Sequence, residues 1–182
     1  MAHANRAASV GWRNPSSHED APRLRVLLIG LGNEFRRDDS AGLLVARALR
    51  ARRLPCADIV ESPGEGSALM DLWKNREHVF LFDASVSGAA VGTITRVDAA
   101  ASGPPTSFSL ASSHAFSALE AVELARRLGQ LPRSLIIYAI AGRDFGFGTD
   151  LSPEVSAAVN KVVSRVCREV ASLSKRSGWK KI

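Results

Sequence analysis

Along the chain, short unbroken apolar runs alternate with longer segments whose apolar residues recur every three or four positions. The short runs cover 24–30, 57–62, 78–83, 92–97 and 134–140, and their length and flanking turn residues predict β-strands. The longer segments predict helices over 39–53, 65–75, 114–128 and 152–173. In the first, Ala41, Leu44, Val45, Ala48 and Leu49 share a face. In the third, Ser113 is placed to cap a helix with Ala115, Ala118, Leu119, Val122 and Leu128 on one face, closing at Gly129. In the last, Ser152 and Pro153 make a start signal, and Val155, Val159, Val162, Val166 and Val170 line one side. Strand–helix alternation of this kind predicts an α/β fold, a three-layer α/β/α sandwich around a mainly parallel, roughly five-stranded sheet of phosphorylase/hydrolase-like type. Thr93 to Val97 follows the third strand after too short a link for a crossover helix, so an antiparallel excursion is expected there.

These elements fill one domain, 23–173, which suits a chain of 182 residues. Residues 1–22 hold no apolar run and lack the hydrophobic stretch of a secretory signal, so a disordered extension is expected. The net charge of +6 narrows when its location is considered. Four of the excess positive charges, Lys175, Arg176, Lys180 and Lys181, lie in a tail over 174–182, and the rest is spread over solvated faces. A nucleic-acid partner is therefore not expected. Nor is a membrane span, because no apolar run is long enough. Cys56 and Cys167 have no metal-binding or redox spacing, which suits reduced thiols in a cytoplasmic protein, expected as a monomer.

Chemistry concentrates where the first strand ends. The run Leu24 to Ile29 closes on Gly30 and Gly32, and Asp38 and Asp39 stand where the next helix begins. A dinucleotide fingerprint would need glycine where Phe35 stands, and two acids would repel a phosphate from a helix N-terminus. The place suits a cation. An aspartate before a helix also serves as a cap, and that reading stands beside the functional one. Asp83 ends the apolar run 78–83, where strand propensity disfavours it; it could equally cap a turn. His114 falls in the first turn of the predicted third helix, where the dipole favours neutral, metal-ligating imidazole, although a surface or core histidine is the commoner case. His3 and His18 lie in the tail, and His78 starts a strand at the far end. Asp39, Asp83 and His114 together offer two oxygens and a nitrogen, a set that suits nickel, zinc or another first-row ion with positions left open.

Five segments now carry a resemblance: Gly30-Leu31-Gly32-Asn33 through Arg36-Arg37-Asp38-Asp39 to Gly42; Phe82-Asp83-Ala84; Gly92-Thr93-Ile94; Ser112-Ser113-His114; and Leu151-Ser152-Pro153-Glu154-Val155. In that order the chain resembles the hydrogenase maturation proteases over roughly Leu24 to Ala171. These endopeptidases trim the C-terminus of the nickel-iron hydrogenase large subunit. The resemblance implies an aspartic-type endopeptidase in which Asp39, Asp83 and His114 contact a metal. That metal is nickel already loaded in the large-subunit precursor, the partner, and is not permanently held by the protease. Two departures stand out. The usually glycine-rich stretch after the second strand reads Glu61-Ser62-Pro63-Gly64-Glu65-Gly66, and Ala141 stands where the family often carries an acid. Either could change which hydrogenase is accepted. Two alternatives stay open: a nickel-protein binding module that does not cut, and, through Gly-Leu-Gly-Asn, a peptidyl-tRNA hydrolase-like enzyme.

Overall fold

The computed structural model describes residues 26–55, 57–102, 110 and 117–176. Five strands form a single sheet: β1 (Val26–Leu31), β2 (Ala57–Ser62), β3 (His78–Ser85), β4 (Ile94–Asp98) and β5 (Ser134–Ala141). Their spatial order is β2-β1-β3-β5-β4. All neighbours are parallel except β4, which runs antiparallel to β5 in the register Ile94↔Ile140 to Asp98↔Ile136. The antiparallel excursion expected for 93–97 is present.

Four helices cover the two faces: α1 (Ala41–Ala51), α2 (Gly66–Trp73), α3 (Ala118–Arg127) and α4 (Pro153–Arg176). Because strand side chains alternate, each central strand feeds two cores at once. Leu28, Phe80, Phe82, Tyr138 and Ile140 pack with α1 and α4 on one face. Leu27, Ile29, Leu81, Leu135 and Ile137 pack with α2 and α3 on the other. This is the three-layer sandwich that the alternation predicts.

Several boundaries differ from those read off the chain, each for a local reason. The first helix does not begin at Asp39. Arg37–Ser40 forms a 3-10 turn holding both acids, and α1 follows it. The third helix begins at Ala118, where Ser117 caps it; the expected start, with Ser113 as cap and His114 in the first turn, lies outside the described residues. The Ser117 hydroxyl accepts from Glu120 N–H, while the Glu120 carboxylate accepts from Ser117 N–H, a reciprocal capping box. β3 continues past Asp83 to Ser85 because β5 keeps pairing with it as far as Ser85↔Ala141. Helix α4 runs on to Arg176, into the stretch expected as tail.

Three glycines bring α1 against the strand ends. A Cβ on Gly42 would lie 2.2 Å from the Phe82 carbonyl oxygen and 2.4 Å from that of Leu31. A Cβ on Gly30 would lie 2.5 Å from the Gly42 carbonyl oxygen. Gly32 has φ +129°, and a side chain there would strike the Asp39 carbonyl. The acidic turn is therefore seated directly on the ends of β1 and β3.

Asp38 fastens that turn to the far end of the domain. It is fully buried. Its Oδ1 accepts from Ser152 N–H at 2.7 Å; its Oδ2 accepts from the Ser152 hydroxyl at 2.8 Å and from Arg143 and Asp144 N–H at 3.0 and 3.1 Å. Ser152 still occupies the capping position of α4, its carbonyl accepting from Ser156 N–H, but its hydroxyl serves Asp38. Burial disfavours the ionised form of Asp38, yet these donors outweigh it and hold the carboxyl below its ordinary range. Arg37, at φ +45°, is kept in a conformation rare for a side-chain-bearing residue by bonds to the same loop: its N–H to Gly148 O at 2.9 Å, its Nε to Phe147 O at 3.0 Å and its Nη1 to Asp144 Oδ2.

Asp38→Ala leaves three backbone N–H groups and a hydroxyl without their acceptor, and a loss of about 3 kcal/mol is expected in denaturant unfolding at pH 7. A lowered carboxyl pKa contributes stability above the unfolded value and loses it as pH falls through the folded one. The gap between wild type and variant should therefore narrow below about pH 4. A gap that is constant across that range would assign the effect to packing alone.

Candidate active site

After β1 the chain crosses to β2 on one side, then returns to β3 on the other. The carboxyl ends of β1 and β3 therefore flank the crevice where the strand order reverses, the place where open α/β sheets bind ligands. Asp39 reaches this crevice from the turn after β1. Asp83 reaches it from β3, one residue past Gly30↔Phe82, the last β1–β3 pair. Its alternation partners are Val79 and Leu81, on the face that α2 and α3 cover. The sequence places Asp83 at a strand's end. It lies instead within a strand, at the point where one neighbour has already parted.

Both carboxylates are out of solvent, Asp39 at 4% and Asp83 at 1% exposure. Asp83 Oδ1 accepts from Ala84 N–H at 2.8 Å. Its Oδ2 is buried with no hydrogen-bond partner among the described residues. Burial, and after it the charge of Asp39, push the Asp83 carboxyl well above its usual range, against the single N–H of Ala84. Arg36 brings Nη1 to 3.8 Å from Asp39 Oδ2, with its Nε donating to Phe145 O at 3.3 Å. Two acids are thus brought together where a cation would relieve their repulsion and complete the coordination of Oδ2.

His114 lies outside the described residues, as do 103–109 and most of the loop expected near the site. Among the described residues no group of three His, Cys, Asp or Glu side chains could hold a metal ion. His78 stands at the start of β3, opposite Val26, at the other end of the sheet, and burial is the first cause lowering its pKa.

A cleft of about 480 Å³ leads from Asp39 along the β1–α1 loop to the end of β2, with Phe35 and Pro63 as walls and Leu43 within. Its rim is a charge network that the sequence did not reveal. Arg47 donates to Glu34 at 3.0 Å and to Glu61 at 2.9 Å, and Arg50 reaches Glu61 as well. Burial raises the Glu61 carboxyl, but the two guanidiniums prevail and hold it below its ordinary range. Of the two acids in the unusual 61–66 stretch, Glu61 sits in this network. Glu65 caps α2, accepting from Ser67 and Ala68 N–H. Ala141 is buried at the end of β5, its carbonyl accepting from Gly92 N–H. Another cleft, of about 420 Å³, lies beside Arg96, Arg165, Arg168 and Glu169 and holds none of the candidate residues.

The family model for hydrogenase maturation protease matches residues 44–169. The hydrogenase 2 maturation protease of Escherichia coli K12 is 28% identical over 149 residues, covering 79% of this chain and 88% of that protein. Among solved structures, the [NiFe] hydrogenase maturation protease HybD from Thermococcus kodakarensis superposes with a TM-score of 0.65 at 25% identity, over 80% of this chain and 99% of that one. The hydrogenase maturating endopeptidase HybD of E. coli shares the fold, with a TM-score of 0.66 at 23% identity, over 85% and 94%. With more than half of its length matched by the family model, and with the same layered sheet, this chain belongs to the hydrogenase maturation protease family and is an endopeptidase.

Proposed function

We propose that this endopeptidase removes a short C-terminal peptide from the nickel-loaded large-subunit precursor of a nickel-iron hydrogenase, and that it recognises the nickel the precursor carries. The observation that supports this most is the pair Asp39 and Asp83 at the β1/β3 crevice, with one buried Asp83 oxygen left for an incoming ligand. His114 is proposed as the third contact, on the ground of the sequence resemblance alone.

The substrate's nickel supplies Lewis acidity, polarising the scissile carbonyl. The protein's share is to orient and to move a proton. Asp83, held in a strand, fixes one contact to the metal-bearing substrate, and Asp39, seated by the glycine contacts of α1, fixes another. A carboxylate of the pair accepts a proton from the attacking water and returns it to the leaving amine. The cleft running from Asp39 to Pro63 receives the extended segment on one side of the scissile bond. A site assembled from both partners cuts only a precursor whose metal has been inserted.

Mass spectrometry of the precursor C-terminus tests this. The wild-type protein should shorten the nickel-loaded precursor and leave the nickel-free form intact. Asp39→Asn, Asp83→Asn and His114→Ala should each slow processing roughly a hundredfold or more. Wild-type rates in these variants would remove the site assignment, and an uncut, properly loaded cognate precursor would favour a binding module that does not cut.

Asp83→Asn should also separate function from stability. A carboxyl whose folded pKa is raised favours the fold below its unfolded value, about 3.9, and that contribution is lost as pH rises through the folded value. In the metal-free protein the variant should therefore melt above wild type at pH 7, with the difference closing below about pH 4. A variant that melts lower at neutral pH would mean that Asp83 is held by contacts an amide cannot replace.

A further inference from the structure

Two aromatic side chains stand out in water beside this site. Phe35 is 63% and Phe147 90% exposed, the two most exposed large hydrophobics among the described residues. They come from loops 112 positions apart in sequence yet are neighbours in space. Arg36 and Gly148 form a parallel bridge, with Gly148 N–H donating to Phe35 O and Arg37 N–H to Gly148 O, both at 2.9 Å. Parallel register places residues 35 and 147 side by side.

The rings are carried on a fixed support. Asp38 ties both loops together, and Arg37 Nε holds the Phe147 carbonyl at 3.0 Å. Phe145, two residues earlier on the same loop, packs against the core, while Phe147 is turned outward. An aromatic pair carried on a tied backbone loses little main-chain freedom on binding, and buried aromatic anchors dominate interface energies.

We propose that Phe35 and Phe147 form a knob that docks into an apolar depression on the folded body of the polypeptide substrate, next to the segment being cut; this rests on the reading of that substrate given above. The shape of the surface selects the occupant. An extended segment is accommodated by the cleft, whose wall is the Phe35 side facing Leu43 and Pro63. Phe147 lines no part of that cleft and is the more exposed of the two rings, so a segment lying in the cleft leaves it uncovered, and the body of the same substrate is the surface at hand to cover it. Continuity does the rest. Phe35 borders both the cleft that contains Asp39 and the projecting ring, so a precursor that delivers its scissile segment to Asp39 brings its body over Phe147.

Phe147→Ser, Phe147→Leu and, as a remote control, Leu128→Ser at the end of α3 are compared with wild type in processing of nickel-loaded precursor and in surface plasmon resonance with the same precursor. Phe147→Ser should raise KM roughly tenfold or more with kcat retained, weaken precursor binding by a similar factor, and leave the melting temperature unchanged. Phe147→Leu should recover most of the loss, and Leu128→Ser should behave as wild type. A synthetic peptide of the precursor's C-terminal segment should bind wild type and Phe147→Ser alike. Unchanged KM and binding in Phe147→Ser would overturn the proposal, as would an equal loss for the peptide, which would make the extended segment the occupant. If wild type leaves the loaded precursor uncut, the proteolytic reading fails, and the binding comparison still decides the docking surface by itself.

Discussion

One buried carboxylate, Asp38, holds the working end of this molecule together. The β1–α1 loop and the β5–α4 loop share no strand pairing beyond a single bridge, and neither has a core of its own. Asp38 supplies the acceptor for three backbone N–H groups and a hydroxyl on the second loop, and the two donors of Ser152 would otherwise be buried without that partner. The strained backbone of Arg37 and the two exposed phenylalanines lie on these same loops, held beside that tie by the Arg36–Gly148 bridge and the bonds of Arg37. Two buried acids thus have opposite duties: Asp38 is saturated with donors, while Asp83, across the crevice from Asp39, retains a buried oxygen that no described donor meets.

That contrast explains how the fold tolerates two buried acids at one crevice. The charge of Asp39 disfavours the ionised form of Asp83, and no described donor offsets this at Asp83 Oδ2. The stability to carry them comes from elsewhere: continuous apolar strands buried on both faces, and α1 pressed onto the sheet through Gly30 and Gly42. No described helix is long and apolar enough to cross a membrane.

The strands and helices were legible because their signals are local. Apolar runs of strand length, valines at helical spacing on α4 and the Gly30-x-Gly32 turn each lie within one element, and the short link before residue 93 revealed the antiparallel strand. The acid at Asp39 and the acid at Asp83 were legible for the same reason, each breaking an apolar pattern at its edge. What escaped was set by partners distant in sequence. Nothing near Asp38 announces that its acceptor sites are filled by Arg143, Asp144 and Ser152. Nothing near Arg47 announces Glu34 and Glu61 together, and the exposure of Phe147 depends on a bridge to Arg36. Ser113 and Ser117 are both serines ahead of an apolar periodicity, and only Ser117 has a glutamate three positions on to complete the box that caps α3. The placement of His114 lies outside the described residues, so its part rests on the resemblance.

The tie between Asp38 and Ser152 spans 114 positions of the chain. Joining positions so remote in sequence costs a loop-closure entropy that near neighbours in sequence do not meet. During synthesis, Asp38, Asp39 and Asp83 all leave the ribosome long before Ser152 exists. A nascent or truncated chain can carry every acid of the candidate site and still lack the frame that orients them. The frame around the candidate site is in this way completed only when the start of the last helix has been made, an order set by the polypeptide itself.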